Sequence, residues 1–343
     1  VSNFFDELQS FVGRTGKPQV ARDPVNEPMI RHWCDAMGDD NPVYTDPVAA
    51  AASRKGGIVA PPTMLDVWDK HGLKQRRDPD SPQGAVLNFL DANGFVSVVA
   101  VNSELEFLRD VRPGERLSAV QTLDSVSEEK RTGLGTGHFV TSRYIHSNEQ
   151  GETVGYSIFR VLKFRAGTGR PASEASDAAA GAAANAPAPP NPRPAAAPAY
   201  DVPVRRTTTR NLAEVAAGDA LPEFPIFLTP TLIVGGAMAT RDFAEVHHDR
   251  DLARERGSQD IFMNIHTSLG LSQRWINDWA GPEAGWRNIR VRLGTQNLPY
   301  DTMTMRGTVT AVDPGTGLVS IGFTGTNRFG AHVTGTAELV LPS

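Results

Sequence analysis

The spacing of apolar residues divides the chain into helical and extended stretches. Between Asn264 and Trp279, the residues Ile265, Leu269, Leu271, Trp275, Ile276 and Trp279 recur mostly at three- and four-residue steps. This predicts a long, half-buried helix, which Gly281 and Pro282 end. Phe4, Phe5, Leu8, Phe11 and Val12 predict an amphipathic opening helix. Met29, Ile30, Trp33, Cys34 and Met37 predict another over 25–37, stopped by Gly38. The run from Gly56 to Leu65 leads into a further helix, with Pro61 and Pro62 tolerated at its start. The polar stretch from Arg76 to Pro82 ends that helix within about three turns, and a turn-rich loop is expected to follow.

Elsewhere the pattern shifts towards alternation and β-branched residues. VSVVAV, SELEFL, RLSAVQTLDSV, GTGHFVTSRYIHS and ETVGYSIFRVLKF read as antiparallel strands, and NIRVRLG, DTMTMRGTVTAV, GLVSIGFTGT and HVTGTAELVL form a second set after residue 285. Asp313-Pro314-Gly315-Thr316-Gly317 is a turn between two of them. The order of the first half (apolar segment, Asp-bearing loop, helix, strands) recurs in the second. Asp39 precedes Thr63 at nearly the spacing by which Asp242 precedes Thr267. Internal repetition of this kind carries more information than any single motif. Between the copies, residues 167–199 are dominated by Ala and Pro and lack the large apolar residues a core needs, so they read as a semi-extended connector. The expected domains are 1–166 and 200–343.

Bulk properties exclude several classes of function. At 343 residues the chain is long enough for two domains, each with its own core. A net charge of −5 with scattered arginines gives no footprint for nucleic acid. The lone Cys34 excludes an intrachain disulfide framework and a Cys-rich zinc site. No stretch is apolar enough to span a bilayer, and the opening helix lacks the pattern of a signal peptide, so a cytoplasmic protein is expected. Gly133, Gly135 and Gly137 lead into a strand, not a helix, and their spacing does not fit a dinucleotide loop.

Acidic, imidazole and helix-start features crowd together in residues 231–281. Asp242 and His247 stand in a D-x4-H arrangement that on a helix would turn them about 140° apart, so they converge only in a turn. The long helix that follows offers unpaired N–H groups and a positive dipole end at Asn264, Ile265 and His266, suited to an oxygen acquiring negative charge. Adjacent His247 and His248 lack further ligands at a recognisable spacing, so no metal is expected. A solvated charged loop is the plain alternative for Arg241 to Asp260.

This arrangement resembles the MaoC-like, R-specific enoyl-CoA hydratase family, whose signature is an Asp, an Asn-Pro pair and a His, followed by the central helix of a hot-dog fold. Asp242 and His247 match the Asp and His, while Ala244 and Glu245 stand in place of Asn-Pro. In the first half, Asp39, Asn41 and Pro42 match, but Tyr44 takes the place of the His. A phenol of ordinary pKa near 10 is no base at neutral pH. The resemblance implies an α+β double hot-dog, each antiparallel sheet wrapped around a central helix, with a silent first half and a catalytic second half. It also implies hydration of a 2-enoyl-CoA thioester without a cofactor. His247 would activate water, Asp242 would deliver the α-proton, and the two could exchange roles. Backbone N–H groups around Asn264, Ile265 and His266 would hold the thioester oxygen, with Asn264 also able to orient water.

The shortened first-half helix is expected to leave an apolar groove lined by Leu65, Val67 and Trp68 and facing the catalytic half. That favours a bulky acyl group. The chain looks like a fusion of the two subunits of actinobacterial steroid side-chain hydratases, although nothing after Lys163 resembles the zinc-and-OB module of their silent partner. A straight-chain hydratase or dehydratase, a thioesterase and a non-catalytic acyl-CoA-binding module are the alternatives. The expected partner is an acyl-CoA thioester, in a homodimer of double hot-dog chains without nucleic acid or membrane.

Overall fold

A computed structural model describes residues 4–73, 78, 80–169 and 189–343. The first half begins with α1 (Phe4–Gln9), β1 (Gln19–Val20) and α2 (Glu27–Met37), followed by the short helices α3 (Pro42–Thr45) and α4 (Pro47–Ala52) and then α5 (Pro82–Ala92). Strands β2 (Ser97–Phe107), β3 (Ser118–Val126), β4 (Lys130–Arg131), β5 (Gly135–Ser147) and β6 (Thr153–Ala166) complete it. The second half contains β7 (Ala220–Phe227), α6 (Pro230–Ala239), α7 (Arg250–Glu255) and α8 (Ile265–Ala280). Its remaining strands are β8 (Gly285–Leu293), β9 (Thr302–Asp313), β10 (Leu318–Asn327) and β11 (Gly330–Val340).

All strands join one antiparallel sheet in the order β1-β3-β5-β6-β2-β8-β11-β10-β9-β7, with β4 on β5. Read outward from the β2–β8 junction, the two halves repeat one another. This is the double hot-dog. At the junction Leu105 lies opposite Ile289 and Glu104 opposite Arg290, and the latter two are also an ion pair at 3.5 Å. VSVVAV and SELEFL, expected as separate strands, are one strand, β2, with a bulge between Ala100 and Asn102. Strand β7 contains Pro222 and Pro225 and occupies the sheet edge, where a missing N–H costs no ladder bond.

The long helix is α8, but it is not half-buried as its pattern implied. Every residue except Arg274 is buried, because the second-half sheet covers one side and the first half covers the other. At Gly270 an added Cβ would lie 2.8 Å from Met37 Sδ and 2.9 Å from the Trp33 ring, so glycine there permits the close approach of α2. Two polar residues on the covered face find partners across the halves. Gln273 accepts from the Thr63 N–H at 2.8 Å, and Asn277 Nδ2 donates to the Tyr44 hydroxyl at 3.1 Å.

The helix expected beyond Gly56 is instead a single 3-10 turn, Pro62–Met64, followed by further turns. Residues 74–77 and 79, within the polar stretch expected to end it, lie outside the described residues. The helix that exists there is α5, in the region expected as loop. Ser81 caps it by accepting from the Gly84 N–H at 3.0 Å, and Pro82 occupies its first turn. Val86, Leu87 and Leu90 pack with Leu8, Phe95, Leu123 and Val140 in a separate small core. Of the expected connector, residues 170–188 lie outside the described residues. Its end is fastened to the second half, where Asn191 donates to the Pro299 carbonyl at 2.7 Å and the Tyr200 hydroxyl bonds Thr302.

Candidate active site

Helix α6 starts with Thr229 accepting from the Leu232 N–H at 2.9 Å and closes with a sharp reversal. Arg241 adopts φ 54°, its N–H donates to Met238 O at 3.0 Å, and the Asp242 N–H donates to Ala237 O at 2.9 Å. This Schellman closure fixes the backbone of Asp242. A 3-10 turn, Glu245–His247, then brings the imidazole back over the carboxylate. His247 Nε2 lies 3.5 Å from Asp242 Oδ2, and the side chains are 9% and 24% exposed. His247 Nδ1 is 2.7 Å from the Phe262 carbonyl. A carbonyl only accepts, so Nδ1 carries a proton and Nε2 is the ring nitrogen that faces the carboxylate. Neighbouring His248 is exposed and turns its Nε2 to the Phe243 carbonyl at 3.4 Å.

Burial pushes the Asp242 carboxyl up, but contact with His247 and the fields of His247, Lys70 and His266 outweigh it, and the carboxyl sits well below the usual carboxylate range. The group is therefore an anion at neutral pH.

Asn264 caps α8 by accepting from the Thr267 N–H at 2.9 Å. Its Nδ2 donates to Thr240 Oγ1 at 2.8 Å and to Asp242 Oδ2 at 3.0 Å. Both amide hydrogens are thus committed, so this side chain orients the carboxylate through Nδ2, and only its Oδ1 could meet a water. Ile265 and His266 form the first turn of α8, where backbone N–H groups have no intrahelical acceptor. The His266 ring is buried, stacked on Phe159 with centroids 5.9 Å apart, and its Nδ1 lies 3.3 Å from Asp66 Oδ2. Burial pushes its pKa below the ordinary imidazole value, with Asp66 opposing.

The structure does not place the three expected substrate-lining residues beside Asp242 and His247. Val67 is fully buried. Leu65 and Trp68 line a cavity of about 90 Å³ together with Phe107, Val154 and Trp286, and neither Asp242 nor His247 belongs to its wall. That volume suits a few waters, so it is not the expected groove for a bulky acyl group. What the first half does bring to this region is two charged side chains and an aromatic ring. Asp66 and Phe159 flank His266, and Lys70 Nζ donates to the Thr240 carbonyl at 3.4 Å. Sequence reasoning missed Asp66, Lys70 and Thr240, since none lies in a recognisable motif with the pair.

The corresponding first-half position is sealed. Asp39 is fully buried, accepts from the Asn41 N–H at 3.1 Å and faces Arg205 at 3.2 Å. Burial pushes its carboxyl up to about 6 against the opposing Arg205 charge. The Tyr44 hydroxyl accepts from Asn277 at 3.1 Å and Gln273 at 3.4 Å, and burial pushes its pKa well above the phenol range.

Residues 10–156 match the family described as FAS1-like, dehydratase domain region. The chain is 42% identical over 161 residues to the 3-oxo-4,17-pregnadiene-20-carboxyl-CoA hydratase alpha subunit of Mycobacterium tuberculosis, covering 47% of this chain and 51% of that protein. To the beta subunit of the same name and organism it is 52% identical over 122 residues, covering 36% of this chain and 93% of that protein. The chain thus spans about half the length of the alpha-subunit relatives it matches. A solved MaoC-like dehydratase superposes with a TM-score of 0.70 at 19% identity, over 97% of this chain and 99% of the other, a likeness of fold.

Proposed function

The chain belongs to the MaoC-like hydratase and dehydratase family, and from that premise we propose that it is an enoyl-CoA hydratase acting on a bulky, steroid-type side-chain enoyl-CoA. The observation that carries the reading is the Asp242–His247 pair. The Asp242 carboxylate and the His247 Nε2 lie 3.5 Å apart, a separation at which one water can contact both. In the proposed reaction the pair takes one proton from that water and the hydroxyl bonds to Cβ of the enoyl thioester. The displaced π electrons pass to the thioester oxygen as an enolate, met by the Ile265 and His266 N–H groups. The pair then returns the proton to Cα. The proton returned to Cα is the one taken from the attacking water. Both groups sit on one loop, so addition is syn, and by family likeness the product is the 3R-hydroxyacyl thioester.

Support for a steroid-type acyl group comes from the relatives, which are named as alpha and beta subunits of one pregnadiene-carboxyl-CoA hydratase. We read this chain as carrying counterparts of both on one polypeptide, in a homodimer of such chains. The test compares kcat/KM for a steroid 17(20)-enoyl-CoA with crotonyl-CoA and a medium-chain enoyl-CoA, following loss of enoyl absorbance. A tenfold preference for the straight chains would sink the steroid reading. Binding without absorbance loss would instead mark an acyl-CoA-binding module, and release of free thiol a thioesterase.

A further inference from the structure

Where the second half has Asp242 and His247, the first half has the buried Asp39 and Tyr44, yet this half is not remote from the proposed chemistry. Asp66 and Lys70 lie four residues apart in the turn-rich segment that follows Pro62–Met64. This segment meets the start of α8 and the end of α6. Asp66 Oδ2 reaches His266 Nδ1 at 3.3 Å, and Lys70 Nζ reaches the Thr240 carbonyl at 3.4 Å. Thr240 is tied through Asn264 Nδ2 to Asp242 Oδ2, at 2.8 and 3.0 Å. We propose that Lys70 and Asp66 are positioning residues supplied by the first half to the second-half site. In this assignment Lys70 sets a positive charge beside the Asp242–His247 pair, and Asp66 sets the orientation of His266.

The charged and titratable groups facing the pair are each other, Lys70 and His266, while Asp66 faces it through His266. Asn264 and Thr240, the other groups in contact, are neutral. The field of Lys70 lowers the proton affinity of the Asp242 carboxyl and of His266, and Asp66 acts on His266 in the opposite sense. Asp242 and His247 lie 3.5 Å apart, so a fixed charge beside one acts in the same sense on the other. The fixed ring of His266 in turn holds the first turn of α8, whose N–H groups are the proposed oxyanion donors. The first half would thus be silent in proton transfer and active in setting the charge of the site.

This inference rests on the hydratase reading only for its kinetic arm. Lys70→Met, Lys70→Arg and Asp66→Asn are compared with the wild type in the pH profile of kcat/KM, using the enoyl-CoA the wild type hydrates fastest. In parallel, NMR titration of the His247 and His266 imidazoles is carried out without substrate. Loss of a nearby cation eases proton uptake, so Lys70→Met moves the acid limb and the imidazole titrations to higher pH by about half a unit or more, and Lys70→Arg restores them. Loss of the anion in Asp66→Asn moves the His266 titration, and with it the acid limb, to lower pH. Damage to packing alone would not move two variants in opposite directions. Imidazole titrations unchanged in both Lys70→Met and Asp66→Asn would overturn the proposal. A wild type that hydrates no enoyl-CoA while the titrations move as stated would refute the hydratase reading and leave the charge assignment standing.

Discussion

Asp39 and Asp242 occupy the same place in the same turn. Each follows a residue of positive φ, Gly38 at 63° and Arg241 at 54°, and each donates its N–H back into the helix, to Cys34 at 2.8 Å and Ala237 at 2.9 Å. Their surroundings separate them. Asp39 is enclosed with Arg205 and a tyrosine, whereas Asp242 keeps partial exposure beside an imidazole.

If the exposed member of this pair does the chemistry, Asp242→Asn and His247→Ala each lower hydration by at least about a hundredfold, the usual worth of a positioned acid–base group. Circular dichroism and Tm should show an intact fold. A variant retaining a third of wild-type activity would remove that residue from the site.

Tyr44→Phe is expected to leave kcat nearly unchanged, because the hydroxyl is sealed against Gln273 and Asn277. Stability should fall by roughly 1–3 kcal/mol, since two amide donors lose their acceptor, and urea denaturation measures this. A kcat as low as that of the Asp242 variant would place chemistry in both halves.

Asn264 combines a helix cap with a carboxylate contact, and two substitutions separate the roles. Asn264→Ser keeps a capping oxygen but loses the bond to Asp242, so kcat should fall while Tm changes little. Asn264→Ala loses both, adding a stability cost of about 1 kcal/mol. Equal kcat in Asn264→Ser and wild type would show that the contact does not orient the carboxylate.

The Asp39 carboxyl, raised from 3.8 to about 6 by burial, makes stability depend on pH. A carboxyl whose folded pKa lies above its unfolded value binds its proton more tightly when folded. Its contribution is therefore full below about pH 4 and is lost as pH rises through about 6. Asp39→Asn should flatten the pH dependence of Tm across that window, and an unchanged slope would place the raised pKa elsewhere.

Cutting the connector near Ala184, which lies outside the described residues, by co-expressing the two pieces should leave an associated pair. The halves share the β2–β8 ladder and one hydrophobic core that includes Trp33, Met37, Leu105, Leu269 and Ile289. Pieces that fold and purify separately without associating would contradict a shared interface.

Local pattern was sufficient for much of this molecule. The long strands of both halves other than β7, the helices over 27–37 and 265–280, and the D-x4-H pair before the long helix are all legible in the chain, because periodicity and turn chemistry are short-range properties. Helix α5 was legible too, through Ser81, Pro82 and the spacing of Val86, Leu87 and Leu90, but it was obscured by the polar residues preceding it. Only the tertiary structure decided what depends on the meeting of the halves. Helix α8 is buried all round, although its sequence shows a polar face, because Gln273 and Asn277 find partners on the first half. Asn264 spends its amide on Asp242, and Leu65 and Trp68 face a small cavity while Asp66 and Lys70 turn to the site. Each of these depends on hydrogen bonds and charges between residues far apart in the chain, and such pairings leave no periodic trace in the segments that make them.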